Sequence, residues 1–139
     1  MWTKTYSTTV KNMKPGKIWQ VWADVNQWHT WQNDIEYAKL TGKFETGTTF
    51  EFKPKGGPKI DIQLTRVEPD AVFVDVTRFP LAKMYDAHEL IPHGEDLEIR
   101  TTVSIRGPLS FVWKRLVAEN VANGMQDQTE RLIERARNV

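Results

Sequence analysis

Residues 108–137 have the sequence PLSFVWKRLVAENVANGMQDQTERLIERAR, in which apolar side chains recur at steps of three and four. This spacing places them on one stripe of an α-helix. Gly107 and Pro108 suit the start of that helix, because a proline in the first turn gives up a backbone donor that has no helical partner there. The stripe contains Leu109, Val112, Trp113, Leu116, Val117, Val121, Met125, Leu132 and Ala136. At about 1.5 Å per residue the helix would be roughly 45 Å long, so it needs a broad apolar partner.

Three residues interrupt the stripe: Asn120, Gly124 and Gln128 lie on or beside the apolar face. Gly124 costs a helix about 0.5–1 kcal/mol relative to alanine. In one interpretation, the glycine lets a strand or loop approach closely and the two amides lie at the edge of the face. In the other, the helix faces a cavity, and small or hydrogen-bonding residues form part of the cavity wall.

Length and charge limit the classes of function. A chain of 139 residues can bury a real core, and we expect one domain over residues 1–139. Lys and Arg total 19 and Asp and Glu total 18, so the net charge is +1, and the two signs are mixed along the chain. A nucleic-acid surface needs positive charge concentrated on one face, so nucleic acid is not an expected partner.

Cysteine is absent, which excludes disulfides, a thiol nucleophile and thiolate metal sites. No apolar run reaches the length of about eighteen residues that would suggest a membrane span, and the N-terminus has no apolar signal region. The sequence therefore predicts a cytoplasmic protein that does not insert into membranes.

The middle of the chain alternates apolar and polar residues between short turns. Phe50 and Phe52, for example, alternate with Glu51 and Lys53 just before the turn at residues 54–58. Strands are predicted at Thr3 to Lys11, Ile35 to Thr41, Thr48 to Lys53, Ile60 to Thr65, Val72 to Phe79, Met84 to Ile91 and Leu97 to Arg106. Two short helices are predicted between the first two strands, the first opened by Pro15.

These elements predict an α+β fold with a curved antiparallel sheet of about seven strands around the long C-terminal helix. A sheet curling around a single helix leaves a gap near one end, which the two short helices would cover. A small ligand would bind in that gap.

Several short motifs share their order and spacing with a known superfamily. They are Pro15-x-x-Ile18-Trp19, Asp24-x-x-x-Trp28-x-x-Trp31, Gly47-x-x-Phe50-x-Phe52 and Val67-Glu68-Pro69, followed by the long terminal helix. With them the chain resembles the START-like superfamily, also called SRPBCC, of the polyketide cyclase/dehydrase and lipid-transport type. The resemblance implies the helix-grip fold and a deep, mostly apolar cavity for hydrophobic molecules. Only some members of the superfamily are enzymes. This sequence shows no catalytic signature of an enzymatic branch, so the resemblance assigns no catalytic residue.

Asp75, Asp86 and His88 form the polar group of interest, because they lie in adjacent strands of a predicted hairpin. The pairing register of these two strands decides whether the three side chains face the cavity or the solvent. If Val74 lies opposite His88, then His88 and Asp86 face the cavity and could act as acid and base or hold a polar ligand group. If Asp75 lies opposite His88 instead, Asp75, Asp86 and His88 share one face and could form a solvated cross-strand pair. Phe73 and Phe79 lie on that same face, so this register leaves open which side of the sheet is concave.

Metal binding is not predicted, because His29, His88 and His93 have no paired ligand spacing. No cofactor is predicted either, and the oligomeric state stays open.

The leading hypothesis is a protein that binds a small hydrophobic or amphipathic molecule between the sheet and the C-terminal helix. The residues predicted to contact that ligand are Trp31, Phe50, Phe52, Met84, His88, Trp113, Asn120 and Gly124. One alternative is an enzyme of the polyketide cyclase/dehydratase or isomerase type, with His88 and either Asp86 or Asp75 as general acid and base. Another is a protein-interaction module, which would show an exposed apolar patch instead of an enclosed pocket.

Overall fold

A computed structural model describes all 139 residues of the chain. The elements follow in this order: β1 Trp2–Val10, α1 Pro15–Ala23, a 3₁₀ helix Val25–Thr30, β2 Ile35–Lys39, β3 Thr49–Pro54, β4 Ile60–Glu68, β5 Val72–Phe79, β6 Ala82–His93 and β7 Asp96–Arg106. The C-terminal helix consists of α2 Ser110–Trp113, a π-helical turn Lys114–Ala118, α3 Glu119–Asn123 and α4 Met125–Arg137.

The seven strands form one antiparallel sheet in the order β1-β7-β6-β5-β4-β3-β2. Consecutive strands from β2 to β7 are neighbours, while β1 forms the other edge of the sheet and pairs with β7. The predicted α+β fold, with a curved sheet, two short helices after the first strand and a long C-terminal helix, is confirmed. None of the helices is both long enough and apolar enough to cross a membrane.

The main core lies where α1 and α4 cover the concave face of the sheet. Ile18 of α1 and Leu132 and Ala136 of α4 are buried there against Leu97 and Ile99 of β7. Trp22 and Trp28 belong to the same cluster, and Nε1 of Trp28 donates a hydrogen bond to the Trp22 carbonyl oxygen at 3.0 Å. At about 25 cal/mol per Å² of apolar surface, burial of this cluster contributes a large favourable term to the free energy of folding.

The first half of the C-terminal helix departs from the predicted stripe. Leu116, expected to face the sheet, is 62% exposed, whereas Ala118 and Ala122 are buried against β6 and β7. A π-helical turn contains one more residue than an α-helical turn, so it rotates all later side chains around the helix axis. A stripe read at a constant step of 3.6 residues therefore does not identify the buried side chains of this half.

Gly107 allows the chain to pass from β7 into this helix. Its φ is +119°, and a Cβ added there would lie 2.5 Å from the Leu81 carbonyl oxygen and 2.9 Å from Cα of Ala82. Only glycine fits both constraints. The backbone N–H of Leu109 then donates to the same Leu81 oxygen at 3.1 Å, which ties the start of the helix to the β5–β6 turn.

Candidate functional site

A cavity of about 590 Å³ lies between the concave face of the sheet and the first half of the C-terminal helix. The helix contributes a row of residues about one turn apart: Leu116, Asn120, Gly124 and Gln128. The interruptions in the apolar stripe thus lie on a cavity wall, in agreement with the second interpretation of them. Nε2 of Gln128 donates to Oε1 of Gln32 at 2.8 Å and joins this wall to the loop after the 3₁₀ helix.

Six of the eight residues predicted to contact a ligand line this cavity: Trp31, Phe52, Met84, His88, Asn120 and Gly124. Phe50 does not. It faces the same side of β3 as Phe52 but lies deeper, where its ring packs edge-on against Trp28 at a centroid distance of 5.5 Å. That contact makes Phe50 part of the core.

Trp113 also lies outside the cavity, contrary to the prediction. Its Nε1 donates to the Pro80 carbonyl oxygen at 2.9 Å, and its ring stacks on Phe79 with centroids 4.6 Å apart. The first turn of the helix covers the β5–β6 turn instead of the cavity, so Trp113 supports the wall residue Phe79 from behind.

Neither predicted register of β5 and β6 is correct. Phe73 lies opposite His88 and Asp75 lies opposite Asp86, because the strands are joined by a tight turn with only Pro80 and Leu81 between paired residues. The two predicted registers placed the centre of the hairpin half a residue and one residue further along the chain than the structure does. With the observed register, Asp75, Asp86 and His88 all line the cavity together with Phe73 and Phe79. The second alternative also placed these residues on one face, and the structure shows that this face is the concave one.

The three polar side chains form a compact cluster. Nε2 of His88 lies 3.3 Å from Oδ1 of Asp86, and one donor or acceptor atom from each of the three residues lies within 4.8 Å of the others. The His88 ring stacks on Phe73 with centroids 4.3 Å apart. Asp75 and His88 are each only 7% exposed, so the charges in this cluster are largely removed from water.

Protons bind tightly to this cluster. Burial raises the pKa of Asp75 well above its ordinary value, the negative charge of Asp86 raises it further, and His88 offsets part of the rise. Burial would lower the pKa of His88, but the carboxylates of Asp86 and Asp75 raise it, and the net change is upward. Asp75 and His88 therefore both hold a proton more readily in the cavity than they would in water.

Two buried polar atoms of the cavity residues have no hydrogen-bond partner in the protein: Oδ1 of Asp86 and Nε1 of Trp31. The Asp86 oxygen approaches His88 without the alignment of a hydrogen bond. An unpaired buried polar atom costs about 1–3 kcal/mol. A bound molecule with one donor and one acceptor would satisfy both atoms.

The same cluster has the ligand types to hold a divalent cation, two carboxylates and one imidazole. No spacing along the chain indicated it, because the ligands come from two strands and meet only through the hairpin register. Thr77 and Phe79 also line the cavity and were not predicted to contact a ligand. They lie on the same face of β5 as Asp75, so the hairpin register places them on the cavity wall as well.

Asp75→Asn should gain stability relative to wild type, and the gain should grow as the pH rises from 4 toward 8. A carboxyl whose folded pKa is raised binds a proton more tightly when folded, so stability falls as pH rises from near 4 through the folded pKa. His88 acts in the same direction: its contribution is full below about pH 6.5 and is lost as pH rises through its raised folded pKa. Every tenfold gain in proton affinity on folding corresponds to about 1.4 kcal/mol. Urea unfolding at several pH values measures the effect.

Glu98 provides the internal control for that series. Hydrogen bonds from Ser7, His93 and Arg100 lower its pKa to about 2, so its contribution is present above pH 4.5 and is lost as pH falls toward 2. Asp75→Asn should leave this loss of stability at low pH unchanged. A variant whose stability runs parallel to wild type from pH 5 to pH 8 would show that Asp75 titrates normally.

Comparison with known proteins agrees with the architecture. The family model described as polyketide cyclase / dehydrase and lipid transport matches residues 1–137. No curated protein matches the sequence.

Solved structures share the fold at low sequence identity. A hypothetical protein from Helicobacter pylori aligns with a TM-score of 0.77 and 16% identity, covering 96% of this chain and 87% of that one. The structure titled Ara h 8.0201 aligns with a TM-score of 0.73 and 12% identity, covering 99% and 100%. The di-domain ARO/CYC protein BexL from the BE-7585A biosynthetic pathway aligns with a TM-score of 0.71 and 13% identity, covering 99% of this chain and 47% of that one.

Proposed function

Because the chain belongs to the polyketide cyclase/dehydrase and lipid-transport family, we propose that its cavity binds a small amphipathic organic molecule. The observation that carries the proposal is the cavity of about 590 Å³ with a polar cluster set among apolar walls. Ligand pockets in proteins commonly measure about 300–1,000 Å³ and combine apolar walls with a few polar groups that fix orientation.

The walls favour a ligand with an apolar, partly aromatic body. Phe52, Ile60 and Ile62 come from the sheet, and Val117 and Val121 come from the helix. Transfer of an apolar ligand from water to such walls gains about 25 cal/mol for each Å² buried. The walls therefore supply affinity without demanding one shape.

The polar cluster favours a ligand with at least one hydrogen-bonding group. Asp86 has an unpaired acceptor, and the raised pKa of Asp75 leaves that carboxyl able to donate. At another point of the lining, Nε1 of Trp31 lacks an acceptor. A hydroxyl or carbonyl compound can satisfy these groups, whereas a pure hydrocarbon would leave them unpaired.

A fluorescence titration with N-phenyl-1-naphthylamine tests the proposal. This probe has a phenyl ring and a naphthalene ring system joined by one N–H, and its emission rises when it leaves water. We expect saturable binding of one probe per protein with a Kd in the micromolar range, and displacement by phenolic or keto compounds of similar size. A signal that grows linearly without saturation would indicate surface adsorption and would refute a binding cavity.

A second candidate function is acid–base catalysis on the bound molecule. It is favoured by the 3.3 Å contact between His88 and Asp86 inside the cavity, with Asp75 beside them. His88 would exchange the proton with the substrate, Asp86 would stabilise the imidazolium, and the neutral Asp75 carboxyl would donate to a carbonyl oxygen. Such an arrangement suits dehydration, aldol-type cyclisation or isomerisation next to a carbonyl group. The interaction-module alternative predicted an exposed apolar patch in place of a pocket, and the observed cavity favours ligand binding over it.

A further inference from the structure

Two carboxylates lie inside the cavity without a matching pair of positive groups. Asp75 is 7% exposed, and Oδ1 of Asp86 is buried with no hydrogen-bond partner in the protein. Neither residue forms an ion pair with a lysine or an arginine. His88 can supply at most one positive charge against the two carboxylates. Buried charges in proteins are ordinarily paired or bound to a metal ion, so this cluster lacks part of its positive partner.

The rest of the cavity lining does not supply the missing charge. Lys55, in the turn between β3 and β4, is the only lysine or arginine of the lining, and it is exposed to solvent. Asp34 adds a third carboxylate to the same lining. The fixed charges around the cavity therefore favour a cation.

The pairing of β5 with β6 holds the two carboxylates together. Asp75 lies directly opposite Asp86, and His88 follows two residues later on the same face of β6. Like charges in directly opposed positions destabilise a sheet, so this pair is costly unless a cation lies between the two side chains. The His88 ring is held by stacking on Phe73 at a centroid distance of 4.3 Å and by an edge contact with Trp22 at 5.6 Å. The three side chains are thus positioned by strands and by packing.

The distances within the cluster suit coordination of one ion. Nε2 of His88 and Oδ1 of Asp86 are 3.3 Å apart. Two ligand atoms that each lie about 2.1 Å from a tetrahedral zinc ion are about 3.4 Å apart. One ligand atom from each of Asp75, Asp86 and His88 lies within 4.8 Å of the other two, so the third ligand is close to the same centre.

We propose that Asp75, Asp86 and His88 bind a divalent transition-metal ion, for which zinc is the best match. An imidazole ligand favours zinc or iron over magnesium and calcium, which take oxygen ligands. Three protein ligands leave one position of a tetrahedral zinc ion open, and all three of these ligands line the cavity. A hydroxyl or carbonyl oxygen of a molecule in the cavity could fill that position, and this last step alone rests on the proposed function.

Metal binding and the acid–base role are alternative uses of His88. A coordinated imidazole nitrogen has no lone pair left to accept a proton, so one copy of the protein cannot do both at once. The metal site is therefore tested on its own, without any organic molecule present.

Calorimetric titration of the chelator-treated protein with zinc chloride tests the proposal. We expect one zinc ion per protein, with a Kd in the micromolar range or below. Asp75→Asn and Asp86→Asn each keep the shape of the side chain and remove its charge. Each should weaken zinc binding at least about 100-fold, since even residues that only orient a metal ligand contribute about 10–100-fold. Magnesium chloride should bind much more weakly than zinc chloride, because one of the three ligands is a nitrogen.

His93→Gln is the matched control for zinc binding. Nε2 of His93 lies 2.9 Å from Oε1 of Glu98, so this pair has the same chemistry as His88 and Asp86, but His93 is exposed and outside the cavity. The variant should bind zinc like wild type. A loss of affinity in His93→Gln as large as that in Asp86→Asn would place the ion on the surface and overturn the proposal.

Thermal unfolding separates the loss of a ligand from damage to the fold. Without metal, Asp75→Asn should unfold at or above the wild-type temperature, because it removes one of two opposed buried charges. Zinc should raise the unfolding temperature of wild type and of His93→Gln, since an ion that binds only the folded state stabilises it, and should leave Asp75→Asn unchanged. No zinc binding by wild type, or equal stabilisation of wild type and Asp75→Asn, would refute the site. Binding of N-phenyl-1-naphthylamine to the metal-free protein is measured separately, so a failed zinc titration leaves the proposed function standing.

Discussion

Gly124→Trp abolishes ligand binding and leaves the fold intact: this is the expected result of filling the cavity from the helix side. Position 124 lies between Asn120 and Gln128 in the row of helix residues that line the cavity. Its φ is −89°, and an added Cβ would meet only backbone oxygens at 3.6 and 3.7 Å, which is ordinary contact. An indole there would occupy the space of the ligand, so affinity should fall at least about a hundredfold, or about 2.8 kcal/mol.

Two matched variants make this result specific. Asn123→Trp places the same indole on the neighbouring, exposed position that does not line the cavity, and it should bind the probe like wild type. Gly124→Ala should raise the free energy of unfolding by about 0.5–1 kcal/mol and keep binding nearly unchanged. Titration of the three proteins with N-phenyl-1-naphthylamine gives the comparison. Retained affinity in Gly124→Trp would show that the ligand binds elsewhere.

If the protein is an enzyme, His88→Gln should lose turnover and keep its ligand. A positioned general acid or base contributes about 10²–10⁴-fold to the rate, whereas His88 is only one of many residues that line the cavity, so its replacement should change affinity little. Exchange of the proton beside the carbonyl group in bound cyclic ketones, followed by NMR in deuterated water, measures the proton transfer directly. The same samples give affinity by probe displacement.

His29→Gln is the matched control, because His29 is exposed and outside the cavity. It should exchange protons at the wild-type rate. An unchanged rate in His88→Gln would rule out the acid–base role but would leave ligand binding in place, so the two candidate functions are separated by one pair of variants.

Local patterns were sufficient to predict the fold. Strands such as β3 and β7 alternate apolar and polar residues, and turns are marked by glycine and proline, so strand number and order follow from short-range chemistry. The helix was predicted from its apolar steps. The resemblance to the START-like superfamily, now confirmed by the family model, implied the same helix-grip fold.

The site was harder to predict, because it depends on events that shift the chain by one residue. A two-residue turn at Pro80 and Leu81 sets the register that pairs Asp75 with Asp86, whereas both predicted registers centre the hairpin further along the chain. A π-helical turn likewise moves Leu116 to the surface. Single-residue shifts change which face a side chain occupies, and composition carries no direct signal of them.

The aromatic residues illustrate the same limit. Phe50 and Phe52 share one face of β3, but depth along the strand makes the first a core residue and the second a cavity residue. Trp113 lies on the apolar stripe of the predicted helix, yet its ring packs against Phe79 on the side away from the cavity. Periodicity identifies a face, whereas the boundary between packed core and open cavity depends on the whole three-dimensional arrangement.

Native mass spectrometry tests the central claim, a cavity that holds a small amphipathic molecule, most directly. Wild type and Gly124→Trp would be purified in parallel from the same cells without detergent. We predict that wild type carries a bound organic compound that leaves on denaturation, and that Gly124→Trp carries none. The same adduct on both proteins, or on neither, would contradict the account.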